Sequence, residues 1–148
     1  MPPRKARVPV VLDTNVIVGF FLGKTRHSAN ARVFDSWLVT HRLQLIVSPP
    51  IITEYLELLE RVAIEIGRIE SFRLRVETGP TVTRINLGKR FMFSRDPDDN
   101  ALLDTAYTGR ARYLVTNDRD LLEIPSKERR IFRFEIVRPA ELLRLLEL

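Results

Sequence analysis

The chain has 148 residues, 45% of them hydrophobic and 29% charged, and its 24 Lys and Arg outnumber 19 Asp and Glu to give a net +5. That length can enclose one full core, and such a composition excludes a disordered or fibrous chain. Cysteine is absent, which excludes disulfides, thiolate-held zinc and thiol catalysis together. The longest apolar stretch, Val8 to Leu22, is broken by Asp13, Thr14 and Asn15, so it neither spans a bilayer nor reads as a signal peptide. A cytoplasmic protein with no membrane association is expected.

In chain order, residues 1–7 form a flexible basic start, and residues 8–148 read as one domain. Val8 to Leu12 is a nearly continuous apolar run ending in Asp13, the pattern of a strand buried on both faces of a parallel sheet. Asn15 to Leu22 predicts a short helix and His27 to His41 a longer one. Leu43 to Val47 predicts a second buried strand. Ser48-Pro49-Pro50 then opens a helix reaching about Ile64, with Ser48 as N-cap and Pro in the first turn. A further helix covers Ile66 to Glu77 and stops at Gly79-Pro80. Thr81 to Ile85 is β-prone, Asp99 to Arg110 helical, Tyr113 to Thr116 a strand, Arg119 to Glu123 a helical turn, Ile131 to Val137 a strand and Pro139 to Leu148 a final helix. Strands alternating with helices imply βαβ units, hence an α/β fold with a mainly parallel sheet covered on both faces. In such sheets functional groups gather at the carboxyl ends of the strands.

Charge is unevenly placed. Residues 61–95 hold eight Lys and Arg against three Glu, which accounts for the whole excess, since the rest of the chain is balanced. Such a region fits a polyanionic partner or a solvated helix face. It runs directly into Asp96-Pro97-Asp98-Asp99.

Two strands end alike, in Leu12-Asp13-Thr14-Asn15 and in Val115-Thr116-Asn117-Asp118. In one parallel sheet this puts Asp13 and Asp118 on the same rim, although each also fits as the cap of the helix that follows. On the helix after Ser48, the apolar positions Ile51, Tyr55, Leu58 and Val62 share a face; Glu54 borders it, whereas Glu57 and Glu60 point to solvent. By the same rotation Asp99 shares the inward face with Leu103 and Ala106, and Asp98 and Asp104 do not. Asp96, before a proline, is extended and upstream of the helix. Carboxylates converging at one rim repel one another unless a cation neutralises them, and an all-oxygen set suits Mg²⁺ or Mn²⁺.

These residues resemble the PIN-domain ribonucleases, especially the VapC-like toxins of prokaryotic toxin–antitoxin pairs. The shared pattern is an apolar strand ending in Asp13-Thr14-Asn15, Glu54 on the helix after the second strand, a third acid opening a later helix, and a fourth after a strand. The third position is filled by Asp99 or Asp96 and the fourth by Asp118 or Asp120. We take Asp99 for its face and Asp118 for its place directly after the strand. The resemblance runs from about Val8 to Pro139. It implies an α/β/α three-layer sandwich, Mg²⁺- or Mn²⁺-dependent cleavage of single-stranded RNA, a homodimer and an inhibitory antitoxin partner. Asp13, Asp99 and Asp118 would hold the metal, with Glu54 as a ligand or a water-orienting base. Thr14, Asn15 and Thr116 are candidates for hydrogen bonds that hold these carboxylates, and Phe91, Phe93 and Tyr107 for stacking on bases. His27 and His41 have no ligand spacing and read as structural or exposed.

Three other readings compete. A haloacid-dehalogenase-type phosphatase needs Asp-x-Asp, but Asn15 stands at the third position. A dinucleotide-binding domain needs a Gly-rich turn that the first strand lacks. A catalytically idle PIN-like module that binds RNA or protein would have no reason to keep all four acids.

Overall fold

The computed structural model describes residues 6–23, 27–87 and 97–148. Its centre is a five-stranded sheet in the order β3-β2-β1-β4-β5, parallel throughout. β1 (Val8–Leu12) ends on Val10, Val11 and Leu12, all fully buried, as a strand covered on both faces requires. β2 (Leu43–Val47) and β4 (Tyr113–Val115) flank it, and β3 (Val82–Arg84) and β5 (Glu135–Val137) form the edges.

The connections explain the layers. From β1 through β2 to β3 the chain steps in one direction along the sheet, and from β3 it returns past β1 to β4 and β5. Crossovers between parallel strands are right-handed, so reversing the direction of travel moves the connecting helices to the opposite face. α1 (Thr14–Leu22), α2 (Ala29–Leu38), α3 (Pro49–Arg61) and α4 (Ile66–Thr78) belong to the first leg and pack on one another. α5 (Pro97–Thr108) lies across β1, β2 and β4, followed by the short α6 (Arg119–Leu122) and α7 (Ser126–Arg129). α8 (Pro139–Leu146) returns to pack on α2. The result is the expected three-layer α/β/α sandwich. The strand order reverses between β1 and β4, and such a switch point opens a crevice at the carboxyl ends of the strands.

Several boundaries move for identifiable reasons. α2 begins only after Ser28, whose hydroxyl oxygen accepts from the Ala31 amide at 3.1 Å, and His41 beyond its end has a left-handed φ of 56°. Ser48 occupies the N-cap position of α3, but its side chain caps nothing. Its hydroxyl instead lies 2.8 Å from that of Thr105 on α5, and Thr105 in turn donates to the Ala101 carbonyl at 2.7 Å. The strand expected from Ile131 is confined to Glu135–Val137. Phe132 and Phe134 keep the alternating burial of a strand and stack on each other at 4.8 Å, outside the sheet ladder.

Between the first-leg helices sits an aromatic cluster. Phe20 and Phe34 stack with centroids 3.8 Å apart; Phe21, Trp37 and Phe72 each meet Phe34 edge-on or tilted, and Phe21 and Trp37 each meet Phe72 edge-on. The Trp37 indole N–H donates to the Thr81 carbonyl at 3.1 Å, tying α2 to the entry of β3.

Candidate metal centre

The β1–β4 register pairs Leu12 with Val115, so one step further Asp13 faces Thr116. Both the main chain and the side chains follow. The Asp13 amide donates to the Val115 carbonyl at 2.9 Å, and the Thr116 hydroxyl donates to the Asp13 carboxylate at 2.6 Å. Asp13 is only 6% exposed and sits at the N-cap of α1 without making a side-chain cap hydrogen bond. The Asn15 amide also reaches its carboxylate, at 3.4 Å, from an exposed position.

Asp118 behaves differently. It is half-buried and does cap its helix, accepting from the Asp120 amide at 2.9 Å. Its own amide donates to the Thr116 hydroxyl oxygen at 2.9 Å. Thr116 thus links Asp13 on one side to the Asp118 backbone on the other. Asn117, between them, donates its amide to the Asn15 side chain at 3.4 Å.

α5 brings Asp99 to the same rim, 4% exposed. Carboxylate oxygens of Asp99, Asp118 and Asp120 lie within 4.8 Å of one another. Both candidates for the fourth acid, Asp118 and Asp120, thus join Asp99. Asp96 lies outside the described residues. Helix rotation pointed Asp104 away from the core, but it is 2% exposed and accepts from the Thr108 hydroxyl at 3.1 Å. The reason is that α5 is enclosed on nearly all sides, Leu102 to Ala106 being buried without a break.

Glu54, on α3, is half-buried, and Glu57 and Glu60 are exposed. The buried face of α3 is Ile51, Tyr55, Leu56 and Leu59, turned from the expected Ile51-Tyr55-Leu58-Val62 stripe; Leu58 and Val62 are half-buried. Ser48 and Thr105 join the start of this helix to α5, so the elements carrying Glu54 and Asp99 are fastened together.

Electrostatics reflect the crowding. Burial pushes the Asp13 carboxyl above its ordinary 3.8, the hydrogen bonds from the Thr116 hydroxyl and the Thr14 and Asn15 backbone pull it back in part, and the Asp118 charge adds to the rise. Tyr55 is fully buried, and its phenol is pushed well above 10.0 by desolvation and then by the charges of Asp13 and Glu54. Asp13 therefore feels Asp118, and the Tyr55 phenol feels both Asp13 and Glu54. The Thr14 hydroxyl is buried with no hydrogen-bond partner among the described residues. A donor set made of carboxylates gathered at one rim fits a hard divalent cation. Asp99, Asp118 and Asp120 could hold it, with Asp13 beside them.

Of the remaining candidates, Tyr107 is half-buried with the Arg133 guanidinium 5.8 Å from its ring centre, and Phe91 and Phe93 lie outside the described residues. His27 and His41 are exposed. Of the basic region, Arg73 pairs with Glu70 at 3.3 Å and Glu77 at 4.0 Å along α4. Arg68 and Arg75 line a different feature, a groove of about 460 Å³ walled by Phe20, Phe21, Phe34 and Phe72. None of the candidate acids lines it.

An α/β/α sandwich with carboxylates gathered at its switch point defines the class of fold. The PIN domain family profile matches residues 9–120, and the chain belongs to that family. No curated protein matches the sequence. Among solved structures, the chain is similar to PAE2754 from Pyrobaculum aerophilum, with 16% identity over 95% of this chain and 90% of that one, at a TM-score of 0.55. It is also similar to VapBC2 from Rickettsia felis bound to a DNA fragment from their promoter, with 14% identity over 88% of this chain and 98% of that one, at a TM-score of 0.54. At such identities the likeness is one of fold. No helix among the described residues is long and apolar enough to cross a membrane.

Proposed function

We propose that this PIN-domain protein is an endoribonuclease dependent on Mg²⁺ or Mn²⁺ that cleaves single-stranded RNA, and that it is the toxin of a toxin–antitoxin pair. The observation that carries the reading is the convergence of Asp99, Asp118 and Asp120 within 4.8 Å at the switch point, beside the buried Asp13. In this reading Asp99 and Asp118 hold the cation together with Asp13, and Asp120 is a further ligand. A bound divalent ion lowers the pKa of a coordinated water and neutralises charge on a phosphodiester. Thr116 keeps the Asp13 carboxylate aimed by donating to it, and Asn15 supports the same group. Glu54 is the residue to which we assign orienting the attacking water and taking its proton. Water would then form the new bond to phosphorus as the bond to the leaving oxygen breaks, and that oxygen would take a proton from solvent.

The fold likeness to the VapBC2 structure supports a protein partner. For an antitoxin we assign the aromatic groove, whose four phenylalanines accept apolar side chains while Arg68 and Arg75 receive acidic ones. Two copies of the chain forming a homodimer complete the proposal.

The deciding experiment incubates purified protein and its Asp99→Asn variant with single-stranded RNA and Mn²⁺, alongside Mn²⁺ titration calorimetry. Cleavage and binding by the wild type, both lost in the variant, are expected. A wild type that cuts no RNA, with a variant unchanged in metal binding and stability, overturns the reading.

A further inference from the structure

We propose that the Tyr55 hydroxyl is a positioning group, which fixes the peptide plane before Asp13 from the helix that carries Glu54 and so holds these two carboxylates as one unit. The proposal deepens the nuclease reading and rests on it. The Leu12–Asp13 peptide is planar, so its carbonyl and amide are fixed together. The amide is taken by the Val115 carbonyl of β4 at 2.9 Å. In a trans peptide the carbonyl points the opposite way, towards β2, which has by then turned through Ser48 into α3. There the Tyr55 hydroxyl donates to the Leu12 carbonyl. One peptide plane is thus clamped from both sides, by a strand that runs directly into Thr116 and Asp118 and by a helix carrying Glu54.

Two features show that this clamp is rigid. Tyr55 and Leu12 are each fully buried, so water cannot replace the bond when it is lost. The ring packs against Phe72 with centroids 6.0 Å apart, which fixes the phenol from behind. Tyr55 also follows Glu54 directly on α3, so the helix backbone that the clamp anchors is the one that carries that carboxylate. With the plane set, the direction of the Asp13 side chain is set too, and Thr116 needs only to hold its far end.

Tyr55→Phe keeps the ring and removes only the hydroxyl. The test compares wild type, Tyr55→Phe and Ile69→Val, the last trimming a buried residue of α4 outside the site. Mn²⁺ affinity is read by calorimetry, RNA cleavage by kcat and KM, and exchange of the Asp13 amide proton in metal-free protein by NMR. For Tyr55→Phe we expect the Mn²⁺ dissociation constant to rise and kcat to fall, each by about 10- to 100-fold, the range for partners that orient metal ligands. KM for RNA should hold, and the Asp13 amide should exchange faster than neighbouring core amides. Ile69→Val should lower stability without these changes. If wild type binds Mn²⁺ and cleaves RNA but Tyr55→Phe stays within about two-fold of it in both, against the range expected for an orienting partner, the Tyr55 role is overturned and the nuclease reading stands. If wild type neither binds Mn²⁺ nor cleaves, the nuclease reading fails and this proposal with it. Should Tyr55→Phe unfold, faster Asp13 exchange in a Phe72→Leu protein, which loosens the ring, supports the clamp, and unchanged exchange there overturns it.

Discussion

At the ends of β1 and β4 the walls are carboxylates, each steered by one or two hydrogen bonds from Thr116, Asn15 or a backbone amide. Between α1, α2 and α4 the walls are phenylalanine rings, with Arg68 placed 4.8 Å from the centre of the Phe21 ring. The rim concentrates like charge, so its own members disfavour one another, and it gains from a cation. The groove is held by ring packing and a cation–π contact, interactions that need nothing from outside. Under the proposed function, chemistry and recognition are built from different materials on one sheet, and a change at one should leave the other working.

That separation can be broken in order of expected effect. The largest is at the rim: Asp99→Asn should lower RNA cleavage by more than about 100-fold, beyond the range of residues that merely orient ligands, in a gel-based assay with Mn²⁺. If antitoxin binding is lost as well, the two regions are not independent. Next is Asp13→Asn, which should raise the stability of the metal-free protein. The Asp13 carboxyl is raised in the fold, so the folded state holds its proton more firmly than the unfolded chain does. Stability of metal-free protein then falls as pH rises from 3.8 through the raised value and is level above it. Removing the charge should lift the metal-free melting temperature at neutral pH, by about 2–4 °C for each kcal/mol relieved. The same change should abolish the stabilisation that added Mn²⁺ gives the wild type; calorimetric scans with and without metal from pH 4 to 8 check both.

At the groove, Arg75→Glu should weaken capture of an antitoxin by about ten-fold, the equivalent of 1.4 kcal/mol, while RNA cleavage stays within about two-fold. A loss of cleavage instead would move the groove into the RNA path. The smallest effect is expected on the exposed side of α4. Arg73→Ala removes ion pairs whose side chains are 42% to 54% exposed, and should change stability by less than about 0.5 kcal/mol in urea titrations.

Which parts of this were readable in the sequence follows from how local each cause is. The buried strands show as apolar runs closed by polar residues, because a strand covered on both faces leaves no other pattern, and the shared ending of β1 and β4 already placed Asp13 and Asp118 together. Where tertiary contacts override a local preference, reading fails. Ser48 has the chemistry of a cap, yet Thr105, 57 positions later, takes its hydroxyl. Asp104 falls on the outward side of a helix with one buried face, but α5 has no outward side over that stretch. The choice between Asp118 and Asp120 assumed a single ligand after β4, whereas the cap that Asp118 makes with the Asp120 amide draws both acids to the rim. The α4 arginines belong to the basic excess by composition, and only the packing of α4 on α1 and α2 shows that two of them face the aromatic groove.

The bond between Thr116 and Asp13 spans 103 residues. Closing so long a loop costs entropy before any contact returns it, and parallel pairings of this kind form late. Synthesis runs from the amino end, so a chain emerged only as far as α5 already carries Asp13, Glu54 and Asp99 but has no β4 to seat them. The acids are made early and the centre is assembled last. Under the proposed function, a nascent copy can complete its metal centre only once β4 has left the exit tunnel and docked.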